Sequence, residues 1–387
     1  MKVTQIYELV NNATEQVLGN ETVLNEDLSN IVDVGNEIID NDAVDNYVKK
    51  LVNHIGKVVF KNKVYSGSAP SVMMDSWEYG SVIEKLSAEL PDATESDTWK
   101  LQDGASYDAD IFYQPKVSAK FFNSKTTFEI PLSFTERQVK ESFSNVGQLN
   151  GFLSMLTTAV ENSMTVKLDA LIMRTINNMI ADTLSNDLVA TEGVLDLTGT
   201  GVKAVNLLNL YNAEYGETLT PQDALRNADF IRHANYTIGL YSDRIQRIST
   251  LFNVGGKERF TGKDELNTVL LSDFEKASNV FMSADLMNRD SVTLPTHETV
   301  PYWQGSGDAY AFDDVSKIDV TTSNGNTVSA SGIIGVMFDR EALGVSNLDR
   351  RVTTNYNPKA EFYTNFYKFD AGYFNDMNEN FIVFYIA

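Results

Sequence analysis

One stretch of this sequence has the glycines and the lysine of a phosphate-binding loop. Five residues lie between Gly256 and Gly262, and Lys263 follows directly. In a phosphate loop four residues separate the glycines, and a Ser or Thr after the lysine binds magnesium. Here Asp264 occupies that position and would place a negative charge beside the phosphate. The spacing and the aspartate therefore argue against a nucleotide site.

The other residues that could do chemistry are scattered. His54, His233 and His297 are far apart and have no metal-ligand spacing, so each is predicted to be an ordinary surface or core residue. Several aspartates could offer oxygen ligands to calcium, but none follows a calcium-loop pattern, and we expect solvated acids. These are Asp103, Asp108, Asp110, Asp313 and Asp314. We predict no catalytic, cofactor or metal site.

The composition limits the classes of partner. The 387 residues include 53 acidic and 31 basic side chains, for a net charge of -22, which argues against a broad nucleic-acid-binding surface. There is no cysteine, so disulfides and thiolate sites are excluded. We find neither a secretory signal nor an apolar run of membrane-spanning length, and no membrane partner is expected.

The beginning of the chain changes sign. The first 46 residues carry ten acidic side chains and one lysine, with apolar residues at loose helical intervals, and this pattern predicts an acidic, partly helical arm. A segment with only basic charges follows. It contains Lys49, Lys50, Lys57, Lys61 and Lys63. Either these lysines form a solvated face, or they pair with acidic patches of neighbouring subunits.

Residues 64–114 are too polar for a core, yet they include Trp77 and Trp99. Long segments without structure of their own are uncommon in compact domains, and the aromatic residues argue against disorder. We therefore predict an extended β-ribbon that buries its aromatic side chains against a neighbouring molecule. Two β-rich runs then flank Asn123 and Ser124, which predicts a hairpin.

The strongest physical signal is helical. From Phe152 to Glu192 there is no glycine or proline, and apolar residues recur at steps of three and four, so one long amphipathic helix is predicted. An ordinary long core helix of an α+β enzyme would show the same pattern. Further along, residues 202–211 and 221–230 are predicted helices, the second with Thr220 as its N-cap.

The C-terminal region carries the strand signals. The apolar residues 269–271 are predicted to form a strand that turns into a helix at Ser272 and Asp273. Residues 361–369 alternate imperfectly, as in a strand, and the continuous apolar run 381–386 predicts a buried final strand.

The last fifty or so residues resemble a known family. A glycine-rich apolar strand from Gly332 leads into Phe338-Asp-Arg-Glu-Ala-Leu-Gly344, and an aromatic strand and the final apolar strand follow. This order resembles the C-terminal region of tailed-bacteriophage major capsid proteins, whose α+β shell fold is shared with encapsulins. Elsewhere the resemblance lies in the order of the elements over essentially the full chain.

The resemblance implies a domain plan. It assigns residues 1–62 to an N-terminal arm, 63–116 to an extended loop, 117–192 to the first part of a peripheral domain with a spine helix, 193–344 to an inserted axial α/β domain, and 345–387 to the C-terminal strands of the peripheral domain. In this plan the loop at Gly256 is exposed at a subunit contact. Trp77, Trp99 and the five lysines named above become candidate contact residues.

The implied function is structural. Copies of such a chain assemble into hexamers and pentamers of an icosahedral head that encloses double-stranded DNA without sequence-specific binding, in a virion assembled in the bacterial cytoplasm. The expected partners are other copies of the chain and scaffolding, portal and decoration proteins. Some members of the family form a Lys to Asn isopeptide crosslink, but no motif fixes such a pair here. The alternatives are an encapsulin-like nanocompartment shell and an unrecognised α+β enzyme.

Overall fold

A computed structural model describes residues 72–74, 82–91, 93–107, 110, 112–135, 146–191, 194–284, 294–304, 310–322, 325 and 327–387. The predicted arm and the five candidate lysines lie outside these residues, as does Trp77. The strands are β1 (Met73–Met74), β2 (Ile83–Ala88), β3 (Val117–Phe122), β4 (Lys125–Thr135), β5 (Ala190–Thr191), β6 (Val194–Leu195), β7 (Ala204–Asn206), β8 (Leu266–Leu271), β9 (Glu298–Val300), β10 (Ile318–Thr321), β11 (Thr327–Ala330), β12 (Ile333–Asp339), β13 (Leu343–Asn357), β14 (Phe362–Asn375) and β15 (Phe381–Tyr385).

The helices of the described residues are α1 (Val146–Asp187), α2 (Leu207–Tyr215), α3 (Pro221–Ala224), α4 (Ala228–Arg244), α5 (Ser272–Ala284) and α6 (Phe312–Val315). The predicted long helix is confirmed as the 42-residue α1, which is about 63 Å long at about 1.5 Å per residue. Up to Leu168 its buried apolar residues recur at steps of three and four, as an amphipathic helix requires, but from Leu171 to Leu184 nearly every residue is buried, so the one-faced prediction holds only for the earlier described part. The buried apolar residues of α1 include Val160, Met164, Leu168, Leu171, Ile172, Ile176, Met179 and Ile180.

The chain divides into two compact units. The first comprises residues 1–78, 125–174 and 345–372, and the second comprises 79–124, 175–344 and 373–387. The sheet of the first unit has the order β1-β13-β14-β4. Pro131 lies in β4, an edge strand, where its missing N–H costs no ladder hydrogen bond. In this sheet Arg351 donates to Asp370 at 2.8 Å, and Thr127 donates to the same carboxylate at 2.6 Å.

The second unit contains a five-stranded sheet of order β7-β15-β12-β8-β9. The predicted final strand is confirmed as β15, whose five residues are all buried, as are all seven residues of β12. The strand that turns into a helix at Ser272 is also confirmed, as β8 followed by α5. The core of this unit packs α2, α4 and α5 residues against the sheet. Its largest members include Phe230, Phe274, Tyr241, Phe252 and Phe384.

The predicted hairpin around Asn123 and Ser124 is wrong. β3 pairs with β2 in a separate two-stranded antiparallel sheet, and β4 pairs instead with β14. Both runs are strands, but their partners lie elsewhere in the sequence, because Asn-Ser is a weak hairpin turn and does not fix local pairing. We call the β2–β3 sheet, together with residues 89–116 that connect its strands, the ribbon; β2 lies in the predicted excursion, whereas β3 belongs to the predicted hairpin.

The two predicted helices of residues 202–230 need correction as well. Residues 204–206 form strand β7 instead of a helix. The Asn206 side chain accepts hydrogen bonds from the N–H groups of Leu208 and Asn209, so α2 begins only after Asn206. Thr220 caps α3 as predicted, but α3 ends after four residues. Asn227 caps a separate helix, α4, and Phe230 belongs to that helix rather than to α3.

Candidate functional site

In the loop that resembles a phosphate-binding site, one lysine and one hydroxyl already have partners in the chain. Lys257 pairs with Glu89 at 2.9 Å, and the Thr261 hydroxyl donates to Asp339 at 2.8 Å. The segment continues into strand β8 rather than into the helix that a phosphate loop requires. The loop therefore lacks the strand–loop–helix geometry of a phosphate-binding site.

The histidines and aspartates behave as individual residues. His297 Nδ1 lies 2.8 Å from the carbonyl of Pro295, and His233 Nε2 lies 3.1 Å from Glu214. Asp313 accepts from Gln222. His54 and Asp108 lie outside the described residues. Among the residues that are described, no group of three His, Cys, Asp or Glu side chains is placed to bind a metal ion.

The ribbon carries large apolar side chains that are exposed in the part of the chain that the structure describes. β2 and β3 pair from Ile83 with Phe122 to Ala88 with Val117, and residues 89–116 extend beyond that pairing. Trp99 is 73% exposed, and Lys100 lies over its ring at 5.2 Å. The other exposed apolar residues of this region are Val82, Leu86, Leu90, Leu101, Tyr107, Phe112, Tyr113, Val117 and Phe121. Such a concentration on one element is typical of an interaction surface.

A charged cluster holds the ribbon to the rest of its unit. Lys85 and Lys120 lie directly opposite each other on β2 and β3. Like charges at such positions repel, but Asp376 binds both ammonium groups, at 3.1 Å and 2.8 Å. Lys85 also contacts Glu341 and Glu379, at 3.3 Å and 3.4 Å. We call Lys85, Lys120, Glu341, Asp376 and Glu379 the ribbon anchor.

Burial opposes the charges of the ribbon anchor, and their mutual contacts offset this cost to different degrees. The Asp376 side chain is 4% exposed. Burial alone would raise its pKa, but hydrogen bonds from Lys120 and the Asn378 N–H, together with the Lys85 charge, lower it overall. Burial would lower the pKa of Lys85, but the charges of Glu379 and Asp376 raise it. Burial is the largest effect at Glu379 and raises its pKa despite Lys85 and Arg259.

Sequence reasoning predicted Trp99 as a contact residue and a β-ribbon in this region, but it missed the anchor. Trp99 is described and exposed, and the other predicted contact residues lie outside the described part of the chain. One signal was available: Lys85 alternates with Ile83 and Ser87 on the half-buried face of β2, and a lysine at such a position needs a carboxylate partner. The partner, Asp376, follows β14 and could not be identified from sequence.

Three solved structures illustrate the fold. The chain aligns with one titled as the head fibre and inner core protein gp22 of bacteriophage P68, at 10% identity and a TM-score of 0.50, over 85% of this chain and 87% of that one. It also aligns with capsid structures of Staphylococcus phage Andhra, at 11% identity over 84% and 86% of the two chains, and Cyanophage P-SCSP1u, at 10% identity over 85% and 92%. Both of these TM-scores are 0.46. No curated protein matches the chain.

The fold is mixed α+β and is similar to the bacteriophage P68 structure. The family model described as Phi29-like phage major capsid protein matches residues 9–385. The chain belongs to this family. It is a structural protein of the capsid shell and of the virion, and not an enzyme, and the encapsulin alternative is not favoured. Within the described residues, every helix is too short or too polar to span a bilayer.

Proposed function

We propose that this protein assembles with copies of itself into hexamers and pentamers of an icosahedral head that encloses double-stranded DNA, within the bacterial cytoplasm. The observation that carries the proposal is the ribbon, whose exposed tryptophan, phenylalanine and tyrosine side chains have no cover in the described chain. In water this surface is costly, and a neighbouring copy that covers it would gain hydrophobic free energy. The ribbon is therefore an interface between subunits.

The domain plan of the family supplies the roles of the parts. In this proposal residues 1–62 form an arm, 63–116 the extended loop, 117–192 the first peripheral part with α1 as spine, 193–344 the axial domain, and 345–387 the second peripheral part. The division of the chain into two units, with α1, β13 and β14 contributing residues to both, supports a non-consecutive arrangement of this kind.

Charge would set the register between copies. The acidic residues before position 46 and the basic segment with Lys49, Lys50, Lys57, Lys61 and Lys63 have opposite signs, and opposite-sign patches on different copies attract. The overall charge of -22 lets the shell enclose DNA without adhering to it. Scaffolding, portal and decoration proteins are further candidate partners of such a shell.

Electron microscopy of the purified protein, expressed alone or with the other head proteins of its phage, tests the proposal. Closed shells or capsomers are expected from the natural chain. The double variant Phe112→Ala, Tyr113→Ala removes exposed rings of the ribbon and should reduce particle yield about tenfold or more, because these rings anchor the contact. Tyr310→Ala is the matched control, since Tyr310 and Tyr113 are 80% and 81% exposed.

The unfolding midpoints of all three proteins should agree, because exposed side chains add little to the stability of the single chain. A persistent monomer under every expression condition would contradict the proposed assembly. Normal particles from the double variant would contradict the role of the ribbon.

A further inference from the structure

A pocket of about 520 Å³ opens on the second unit between α2 and the first half of α4. Its walls are aromatic: the ring centroids of Tyr211 and Tyr215 lie 4.8 Å apart with the rings tilted by 36°, and both rings meet the His233 imidazole edge-on, at 5.6 Å and 5.9 Å. Tyr215 and Tyr236 remain exposed. The His233 side chain is only 9% exposed, and its Nδ1 has no hydrogen-bond partner in the described chain.

The rim of this pocket is acidic. Glu214, Glu217 and Asp229 line it together with one cation, Arg232. Arg232 is bound to Asp229 at 2.7 Å, so its charge is already matched. Glu214 contacts His233, and Glu217 has no ion-pair partner among the described residues. A ring-lined cavity with excess negative charge suits a guanidinium or ammonium group, which gains from both the carboxylates and the ring faces.

The opposite charge lies at the other end of α4. Residues 244–263, which include the phosphate-loop lookalike, contain five basic residues and one acidic residue. Lys257 and Arg259 are occupied by Glu89 and Glu379. Arg247 is exposed and has no carboxylate partner in the described part of the chain. Beside it, Ile248 and Leu251 are exposed apolar residues. We call residues 244–263 the basic loop.

The pocket and the basic loop cannot meet within one chain. Asp229 lies in the first turn of α4 and Arg244 in its last turn, so a rigid helix holds the two surfaces about 22 Å apart. Two complementary surfaces on opposite ends of one rigid element generate a head-to-tail contact between copies, and such contacts close into rings when the rotation allows.

We infer that the aromatic acidic pocket of one subunit receives the basic loop of the next copy around a ring, with Arg247 entering beside Glu217. This rests on the proposed assembly and adds to it the identity of a contact within each ring. Arg247 would lie against the exposed Tyr215 and Tyr236 rings. Ile248 and Leu251 would cover the apolar surface of the aromatic walls that Arg247 leaves exposed. The loop that resembles a phosphate site thereby has a structural role.

Charge exchange tests this contact. Glu217→Lys and Arg247→Glu each place like charges together, and each should reduce the yield of rings and shells about tenfold or more, as measured by sedimentation and electron microscopy. The double variant restores opposite charges in reversed positions and should recover most of the yield. Asp319→Lys is the matched control for Glu217→Lys: Asp319 is an exposed acid on β10 of the same unit, and its reversal changes the net charge by the same amount and in the same direction.

A mixture of the two single variants provides a second readout. The pocket of the Glu217→Lys protein accepts the loop of the Arg247→Glu protein, and the unchanged pocket of the second protein accepts the unchanged loop of the first. The two proteins must therefore alternate around a ring. Alternation closes only in rings with an even number of copies, so the mixture should form six-membered but not five-membered rings. A merely structural effect of either substitution would not produce this restriction.

The outcomes separate this inference from the proposed function. Recovery in the double variant supports the contact. Single variants that assemble as well as Asp319→Lys overturn it, and so does a double variant that remains defective while its unfolding midpoint matches the natural chain. In both of those cases the natural chain still forms shells and the proposed function stands. Failure of the natural chain to form any particle is instead a failure of the proposed function.

Discussion

The five-stranded sheet and the ribbon belong to the same unit, the second one, but they differ in how far their side chains are buried. Every residue of β12 and β15 is buried, whereas β2 alternates between half-buried and exposed residues and β3 is mostly exposed. The sheet receives its stability from its own chain. The ribbon keeps large apolar side chains uncovered and is attached through ion pairs. Substitutions in the sheet should therefore affect folding, and those in the ribbon should affect assembly.

The strongest way to break this comparison is to make the same substitution in both regions. Phe384→Ala empties a fully buried site whose ring meets Tyr241 at 5.6 Å, and it should lower the free energy of unfolding by about 3–5 kcal/mol. Phe112→Ala, at a side chain that is 84% exposed, should change it by less than about 0.5 kcal/mol. Urea denaturation of both variants measures the difference, and equal losses would contradict the comparison.

A glycine substitution sharpens the comparison at the start of β12, the central strand of the buried sheet. Gly332, just before β12, has φ of +82°, and an added Cβ would collide with the Ile386 carbonyl oxygen. Gly332→Ala should therefore cost about 2–4 kcal/mol, from backbone strain and from this collision. Gly325 has nearly the same φ, +83°, but no neighbour within 4 Å. Gly325→Ala should cost only about 1 kcal/mol, and thermal unfolding of the pair isolates the collision.

The sequence predicts local elements of the structure better than it predicts which distant segments pair. The strand at 381–386, the strand that turns into α5, the long helix and the Thr220 cap were all predictable, because each depends on neighbouring residues. The pairing of β4 with β14 was not, since Phe128 meets Phe369 at 5.0 Å across more than two hundred residues of sequence. A local pattern indicates that a segment is a strand, but it does not specify a distant partner.

The ribbon anchor shows this limit at a single site. Lys85 was visible as a lysine on the inner face of a strand, but its partners Glu341, Asp376 and Glu379 lie more than 250 positions later in the sequence. Asp376 lies between β14 and β15. Its function depends on burial, which comes from the packing of β2, β3 and the segment after β14, so no property of residues 370–380 alone could reveal it.

A smaller effect is expected from the anchor itself. Asp376→Asn keeps the shape of the side chain but removes the negative charge that offsets the repulsion between Lys85 and Lys120. We expect a loss of about 1–3 kcal/mol, because Glu341 and Glu379 still contact Lys85. Hydrogen exchange of the β2 and β3 amides should accelerate more than that of β12 and β15. Glu361→Gln, at an exposed turn residue, serves as the control, and uniform acceleration across both sheets would contradict a local anchor.

The smallest and most specific effect is the pH dependence of the anchor. Because the folded pKa of Asp376 lies below its ordinary value of 3.8, its stabilising contribution is present above that value and is lost as the pH falls through the folded pKa. Glu379 has the opposite sign: its pKa is raised above 4.5, so its ionised form costs stability near neutral pH, and mild acid removes that cost. Acidification from pH 7 to 5 should therefore not release the ribbon, whereas a pH below 3.8 should. Urea midpoints of the natural chain and of Asp376→Asn should differ at pH 5 and converge in that acidic range. If the difference stays constant throughout, Asp376 is not the group whose charge fixes the ribbon.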